Sequence, residues 1–245
     1  MQWRSNHGTA LGLLLAATMI ETAASETSEL PPCRLALVFA LDVSASVNAD
    51  EYALQRDGLA AALLAPEIVP HLLPNPAGRV ALAAFEWSGR YQSAIRLDWL
   101  FIDTPDDIGN AARIVGASNR SQTTYPTALG YALGFAATML AQMPDCTARK
   151  IDVSGDGRNN DGFVPELAYR AFPFASVTVN GLAIRGDDAG INAYYRAEVI
   201  RGPGAFVITA DGYQDFRRAM HLKLLRELGD QLIGSLGRPQ MPGIR

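Results

Sequence analysis

"RLALVFALDVSAS", residues 34–46, decides the fold. Eight residues from Arg34 to Leu41 are apolar but for the first, and the run ends at Asp42. A short continuous apolar run that stops at a polar residue is the mark of a strand buried on both faces. Such a strand needs helices above and below it, so the flanking sequence should alternate helix and strand. The residues just past the strand are unusual in another way: Ser44 and Ser46 alternate with small residues after Asp42. Serine and aspartate are ordinary turn and cap residues, so the stretch is either the start of a helix or part of a binding site.

Working outward, "NADEYALQRDGLAAALL" (48–64) reads as a helix, with Asn48 as cap and Glu51 three residues on. "GRVALAAFEW" (78–87) is a second strand, and "QSAIRLDWL" (92–100) a third, close enough to pair antiparallel with it. Helices are predicted over 105–117, opening at Thr104-Pro105, and over 126–142. "ARKIDVSGD" (148–156) is another buried strand ending in aspartate. A helix at 165–172, a strand at 175–184, a helix at 188–200, a strand at 205–210 and a closing helix at 213–233 complete the pattern. This alternation predicts a mostly parallel sheet covered on both faces by helices. Ligands in such folds bind beyond the carboxyl ends of the strands, where strand order reverses.

The chain has 245 residues, 49% hydrophobic, and a net charge of -4 with the two signs interspersed. A basic stripe for nucleic acid is missing from this pattern. Arg4, the uncharged run Ala10–Ile20 and the small residues of "ETAAS" read as a signal peptide over residues 1–25. That run is shorter than the roughly 20 residues a membrane span needs, and no later stretch offers one. The expectation is an exported domain over 34–233, periplasmic or secreted, followed by a flexible tail at 234–245. The two cysteines, Cys33 and Cys146, suit an oxidising compartment.

Three polar clusters fall at predicted strand or helix ends: Asp42, Ser44 and Ser46; Thr124 and Thr127 within "TTYPTALGYAL" (123–133); and Asp156 and Asp161 within "DVSGDGRNNDG" (152–162). Two carboxylates and several hydroxyls make a hard-oxygen donor set, suited to magnesium, manganese or calcium rather than zinc. Each cluster also has an ordinary reading: a turn at Ser46, a cap at Thr124 before Pro126, a turn dipeptide at Asp156-Gly157. No GxSxG elbow, P-loop, HExxH or strand-borne GxGxxG occurs. His71 and His221 are isolated in the sequence.

Asp42-x-Ser44-x-Ser46, with a threonine and an aspartate in two later loops, resembles the von Willebrand factor type A domain and its metal-ion-dependent adhesion site. The blocks "ALDVSASV" (40–47), "FEWSG" (85–89), "IDVSGDGRNN" (151–160), "VNGLAI" (179–184) and "GPGAFV" (202–207) are similar to an exported bacterial family of undefined function with a type A core. The resemblance implies a three-layer α/β/α, Rossmann-like fold whose sheet is mostly parallel with one antiparallel edge strand. It implies Ser44, Ser46 and Thr127 as direct metal ligands, with Asp42 and Asp156 acting through water or hydrogen bonds. Thr127 is favoured over Thr124 because "TALGYAL" matches the helix after the family's threonine, although Tyr125-Pro126 stand where small residues are usual. The ion would be Mg2+, or Mn2+ or Ca2+, and the partner a protein presenting an acidic residue.

The type A topology also places Cys33 and Cys146 together at the amino-terminal edge of adjacent strands, implying a disulfide between them. Glu86, Trp87, Arg158 and Asn159 would form a rim for the partner; for Trp87 the competing reading is a packed side chain, and for Arg158 and Asn159 a polar turn. The rival functions are a metal-assisted hydrolase, with Glu86 or Asp161 as base, and a scaffold that has lost its metal.

Overall fold

The structure is a computed structural model that describes residues 1–2 and 31–235. The leader read over 1–25, beyond its first two residues, and the tail past residue 235 lie outside the described residues. Six strands form one sheet: β1 (Cys33–Asp42), β2 (Arg79–Trp87), β3 (Ser93–Ile102), β4 (Ala148–Gly155), β5 (Val177–Ile184) and β6 (Val207–Ala210). Their order is β3-β2-β1-β4-β5-β6. β3 alone runs antiparallel, paired with β2. The helices are α1 (Ala49–Leu63), α2 (Val69–Leu72), α3 (Pro105–Gly116), α4 (Leu129–Leu140), α5 (Pro165–Ala171), α6 (Ile191–Tyr194) and α7 (Phe216–Ser235). The three-layer arrangement expected from the alternation is the one observed.

β1 shows why the opening run codes for a central strand. All ten of its residues are buried. Leu35, Leu37, Phe39 and Leu41 face a cluster that includes residues of α1, α3 and α7, while Ala36, Val38 and Ala40 face α4 and Tyr195. From β1 the chain builds outward to β2 and β3 on one side, then returns to place β4, β5 and β6 on the other. The reversal of strand order therefore lies between β1 and β4, and their carboxyl ends border the crevice.

Local signals placed the starts of α1, α3 and α5. Asn48 and Glu51 form a reciprocal capping box on α1, and Thr104 and Asp107 another on α3, with Pro105 in its first turn. Three segments differ from expectation. The helix expected at 126–142 begins only at Leu129, because Thr127 and its neighbours are held in a loop. The helix expected over 188–200 is four α-helical residues running into a π-helical turn, Tyr195–Val199. The short helix α2 had no periodic signal. Among the described residues no helix is long and apolar enough to cross a membrane.

β4 departs from the alternation logic. Its Lys150, Asp152 and Ser154 lie opposite Leu37, Phe39 and Leu41 of β1 and point into the α1/α7 side. There Asp152, Lys223 and Glu227 are fully or almost fully buried. Lys223 Nζ lies 2.9 Å from Asp152 Oδ1 and 2.6 Å from Glu227 Oε1; Asn180 Nδ2 donates to the same Glu227 oxygen at 2.9 Å, and Lys150 Nζ to the Glu227 carbonyl at 2.8 Å. Burial, with the Glu227 charge adding to it, pushes the Asp152 carboxyl up to about 7 against the opposing pull of the Lys223 ammonium.

Cys33 and Cys146 form a disulfide at the opposite end of the sheet from the strand-end loops, with alpha carbons 4.5 Å apart and a sequence separation of 113. Changing both to alanine should cost about 2–5 kcal/mol in urea unfolding, as for a long closed loop; an unchanged midpoint would show that the bridge adds no stability. Asp152 generates a second expectation. Its folded pKa lies above the ordinary 3.8, so its contribution is fully present below about pH 4 and declines as pH rises towards 7. Stability of Asp152→Asn should therefore fall less steeply across that window than the parent's, and parallel curves would defeat the assignment.

Candidate metal centre

Asp42 ends β1, and the backbone turns at once so that Ser44 N–H donates to Asp42 Oδ1 at 2.8 Å. The turn is held on every side. Val43 N–H donates to the Trp87 carbonyl and Ala45 N–H to that of Tyr125, each at 2.8 Å. Arg120 Nη2 donates to the carbonyls of Val43 at 3.1 Å and Ser44 at 2.8 Å. Gln55 of α1 donates to the Asp42 carbonyl at 2.9 Å and accepts from the Ser154 hydroxyl at 2.9 Å.

The second loop is fastened to the third. Thr127 N–H donates to Asn160 Oδ1 at 2.8 Å, and the Thr127 carbonyl accepts from the N–H groups of Asn160 and Asp161 at 2.9 and 3.2 Å. α4 has no side-chain cap from its own preceding residue; instead Asn159 Oδ1 accepts from Gly130 N–H at 3.1 Å. These bonds bury Thr127, whereas Thr124 stays exposed on the outside of the loop.

The hydroxyls of the first two loops and the carboxylate of the third then meet in a row. Thr127 Oγ1 lies 3.3 Å from Ser44 Oγ, Ser44 Oγ lies 3.3 Å from Ser46 Oγ, and Ser46 Oγ donates to Asp156 Oδ1 at 2.8 Å. The first two separations exceed the usual 2.7–2.8 Å of an O–H···O bond. Adjacent ligands of an octahedral ion with arms of 2.0–2.1 Å would stand on the order of 3 Å apart, so the row suits a shared cation. Two further observations fit one. Asp42 Oδ2 is buried with no hydrogen-bond partner among the described residues. Burial first, then the neighbouring Asp156 charge, pushes the Asp42 carboxyl up to about 7, and burial also raises that of Asp156. Two desolvated carboxylates in one site are poorly stabilised as anions unless a cation joins them. Among the described residues no group of three or more His, Cys, Asp or Glu side chains could hold a metal; here the donors are two carboxylates and three hydroxyls.

The rim expected from Glu86 and Trp87 is corrected. Both side chains are buried, at 0% and 1% exposure, because β2 lies inside the sheet and its end is roofed by neighbouring loops. Glu86 accepts from Tyr52 Oη at 2.6 Å, Arg96 Nη2 at 2.8 Å and Ser121 N–H at 2.7 Å, which makes it a tie between α1, β3 and the loop after α3. Arg158 is half exposed and paired through two hydrogen bonds with Asp188, over the ring of Tyr194. Asn159 is partly buried and spends its side chain on α4 and on the Asp161 carbonyl. Asp161 itself is paired with Arg90 at 2.8 Å.

Sequence reading did not find Arg120, Gln55, Tyr195 or Tyr213, all of which reach the centre from separate elements. No local pattern marks them. Gly155 had a readable reason for being small: a Cβ there would stand 2.7 Å from both Asp42 Oδ2 and Tyr195 Oη. Gly155→Ala should therefore cost about 1–3 kcal/mol by overpacking, read as a lowered midpoint in urea, and a neutral outcome would mean that the space over residue 155 yields freely.

The family model for a protein of unknown function, DUF1194, matches residues 32–232. No curated protein matches the chain. Among solved structures, proximal thread matrix protein 1 from the mussel byssus, with a zinc-occupied MIDAS motif, is similar with TM-score 0.60 and 13% identity, over 80% of this chain and 46% of that one. A von Willebrand factor type A protein from Catenulispora acidiphila gives TM-score 0.57 and 14% identity over 82% and 43%. BatB from Bacteroides thetaiotaomicron gives 0.53 and 17% over 80% and 99%. The chain thus spans about half the length of the first structures it matches. With a family match across most of its length and a six-stranded sheet of this order, the chain belongs to the DUF1194 family and has a von Willebrand factor type A-like fold.

Proposed function

We propose that this protein is an exported module that binds a protein partner through a divalent cation. Ser44, Ser46 and Thr127 would hold the ion directly, with Asp42 and Asp156 orienting them. The observation that carries the reading is the row of oxygens from Thr127 through Ser44 and Ser46 to Asp156, drawn from three loops at the strand-order reversal. A ligand set dominated by neutral hydroxyls offsets little of a divalent charge, so the ion, when bound, is an electrophile able to accept a carboxylate from outside. The protein's own contribution is to hold that set in place. Arg120, Gln55 and Asn160 fix the loops by backbone hydrogen bonds, so the hydroxyls need not be ordered at the moment of binding. Two features support export: the leader-like sequence over residues 1–25 and the Cys33–Cys146 bridge, a bond of oxidising compartments.

Magnesium, manganese and calcium suit the oxygen donors. Zinc joins the candidates because the mussel protein carries it in the corresponding kind of motif. Hydrolysis is the weaker reading. Of the two bases the sequence offered, Glu86 is buried under three donors and Asp161 is tied to Arg90. Isothermal titration with Mg2+, Mn2+, Ca2+ and Zn2+ tests the reading. The parent chain should bind one ion per molecule, and Asp42→Ala should bind at least tenfold more weakly. No binding by the parent at millimolar ion, or equal binding by the variant, would sink it.

A further inference from the structure

Two buried phenols come from elements outside the three loops. Tyr195 is fully buried and Tyr213 is 4% exposed, yet neither hydroxyl has a hydrogen-bond partner among the described residues. The third orphaned oxygen nearby is Asp42 Oδ2. Asp42 Oδ2 and Tyr195 Oη border one space, since a single point, the Cβ position of residue 155, lies 2.7 Å from each. Burying polar oxygens without partners is costly, and here they converge instead of being scattered.

The backbone is irregular at both tyrosines. Tyr195 opens the π-helical turn Tyr195–Val199, a form found mostly as single turns and often at functional sites. Its ring packs against β5, where a Cβ on Gly181 would come within 2.6 Å of it. Tyr213 opens the 3-10 turn Tyr213–Asp215, directly before α7. The Tyr195 ring thus runs from a π-helical turn past Gly181 to the space over Gly155 at the strand ends.

We propose that Tyr195 is a positioning residue of the metal centre, whose O–H group donates to Asp42 Oδ2 and holds that carboxylate in one orientation at the site. Asp42 would then be fixed at both oxygens, by Ser44 N–H on Oδ1 and by Tyr195 on Oδ2. The inference rests on the reading that the three loops hold a divalent cation. Outer-shell partners of this kind are worth about 10- to 100-fold in metal affinity.

The test is Tyr195→Phe, titrated with Mg2+ and Mn2+ by calorimetry beside the parent. The variant should bind about 10- to 100-fold more weakly, while melting in chelator at the parent's temperature, because the Tyr195 hydroxyl has no hydrogen-bond partner among the described residues. The spectroscopic arm needs no variant to fold well: in protein carrying 3-fluorotyrosine, the resonance of Tyr195 should move during a Mg2+ titration. A parent that binds the ion, with a Tyr195→Phe variant that binds it equally and a Tyr195 resonance that stays still, overturns the positioning role and leaves the metal centre standing. A parent that binds no ion overturns both.

Discussion

A carboxylate at the end of the central strand, cut off from water, is the constraint on which the rest of the structure turns. Asp42 is wholly buried. It is there because β1 is covered on both faces and ends in the crevice between two directions of strand order. A carboxylate in that position needs donors, and the protein gives its side chain one, Ser44 N–H on Oδ1, while Gln55 of α1 fixes the backbone by donating to the Asp42 carbonyl. The strand's apolar run and the polar turn after it are therefore one design. The run makes the burial, and the burial makes the polar residues beyond it chemically demanding.

The same sheet carries a second buried polar system. On the α1/α7 face, β4 presents Lys150, Asp152 and Ser154 to the interior, and α7 answers with Lys223 and Glu227. Buried ion pairs are weak evidence for net stability, since desolvation offsets most of their attraction. They do penalise any packing that separates the partners. α7 thus docks by charge pairing as well as by the apolar contacts of Phe216, Met220 and Leu224.

Much of the fold was legible because the signals were local. An apolar run buried on both faces, a capping box at Asn48 and a proline after Thr104 each specify an element without reference to anything far away. The errors fell where a distant contact overrode the local pattern. α4 begins three residues late because Asn159 and Asn160, from another loop, hold Thr127 and cap Gly130. Glu86 and Trp87 looked like a rim because they end a strand, but the strand lies within the sheet and Arg96, Tyr52 and Ser121 close over the glutamate. Lys150 and Asp152 sit in a strand whose Ile151 and Val153 are buried, and nothing in their spacing announces the lysine and glutamate that α7 brings to meet them.

The sequence by itself determined the order and type of most elements, the three clusters of oxygen donors and the two cysteines that could bridge. Periodicity, capping and strand-end polarity act over a few residues and survive in one dimension. Only the tertiary structure decided that Thr127 and not Thr124 faces the serines, that Glu86 serves the interior, and that Tyr195, from a π-turn, shares a space with Asp42 Oδ2. The reason is physical. Burial and donor-acceptor pairing are properties of three-dimensional neighbours, and the neighbours of Asp42 come from residues as far along the chain as Tyr195.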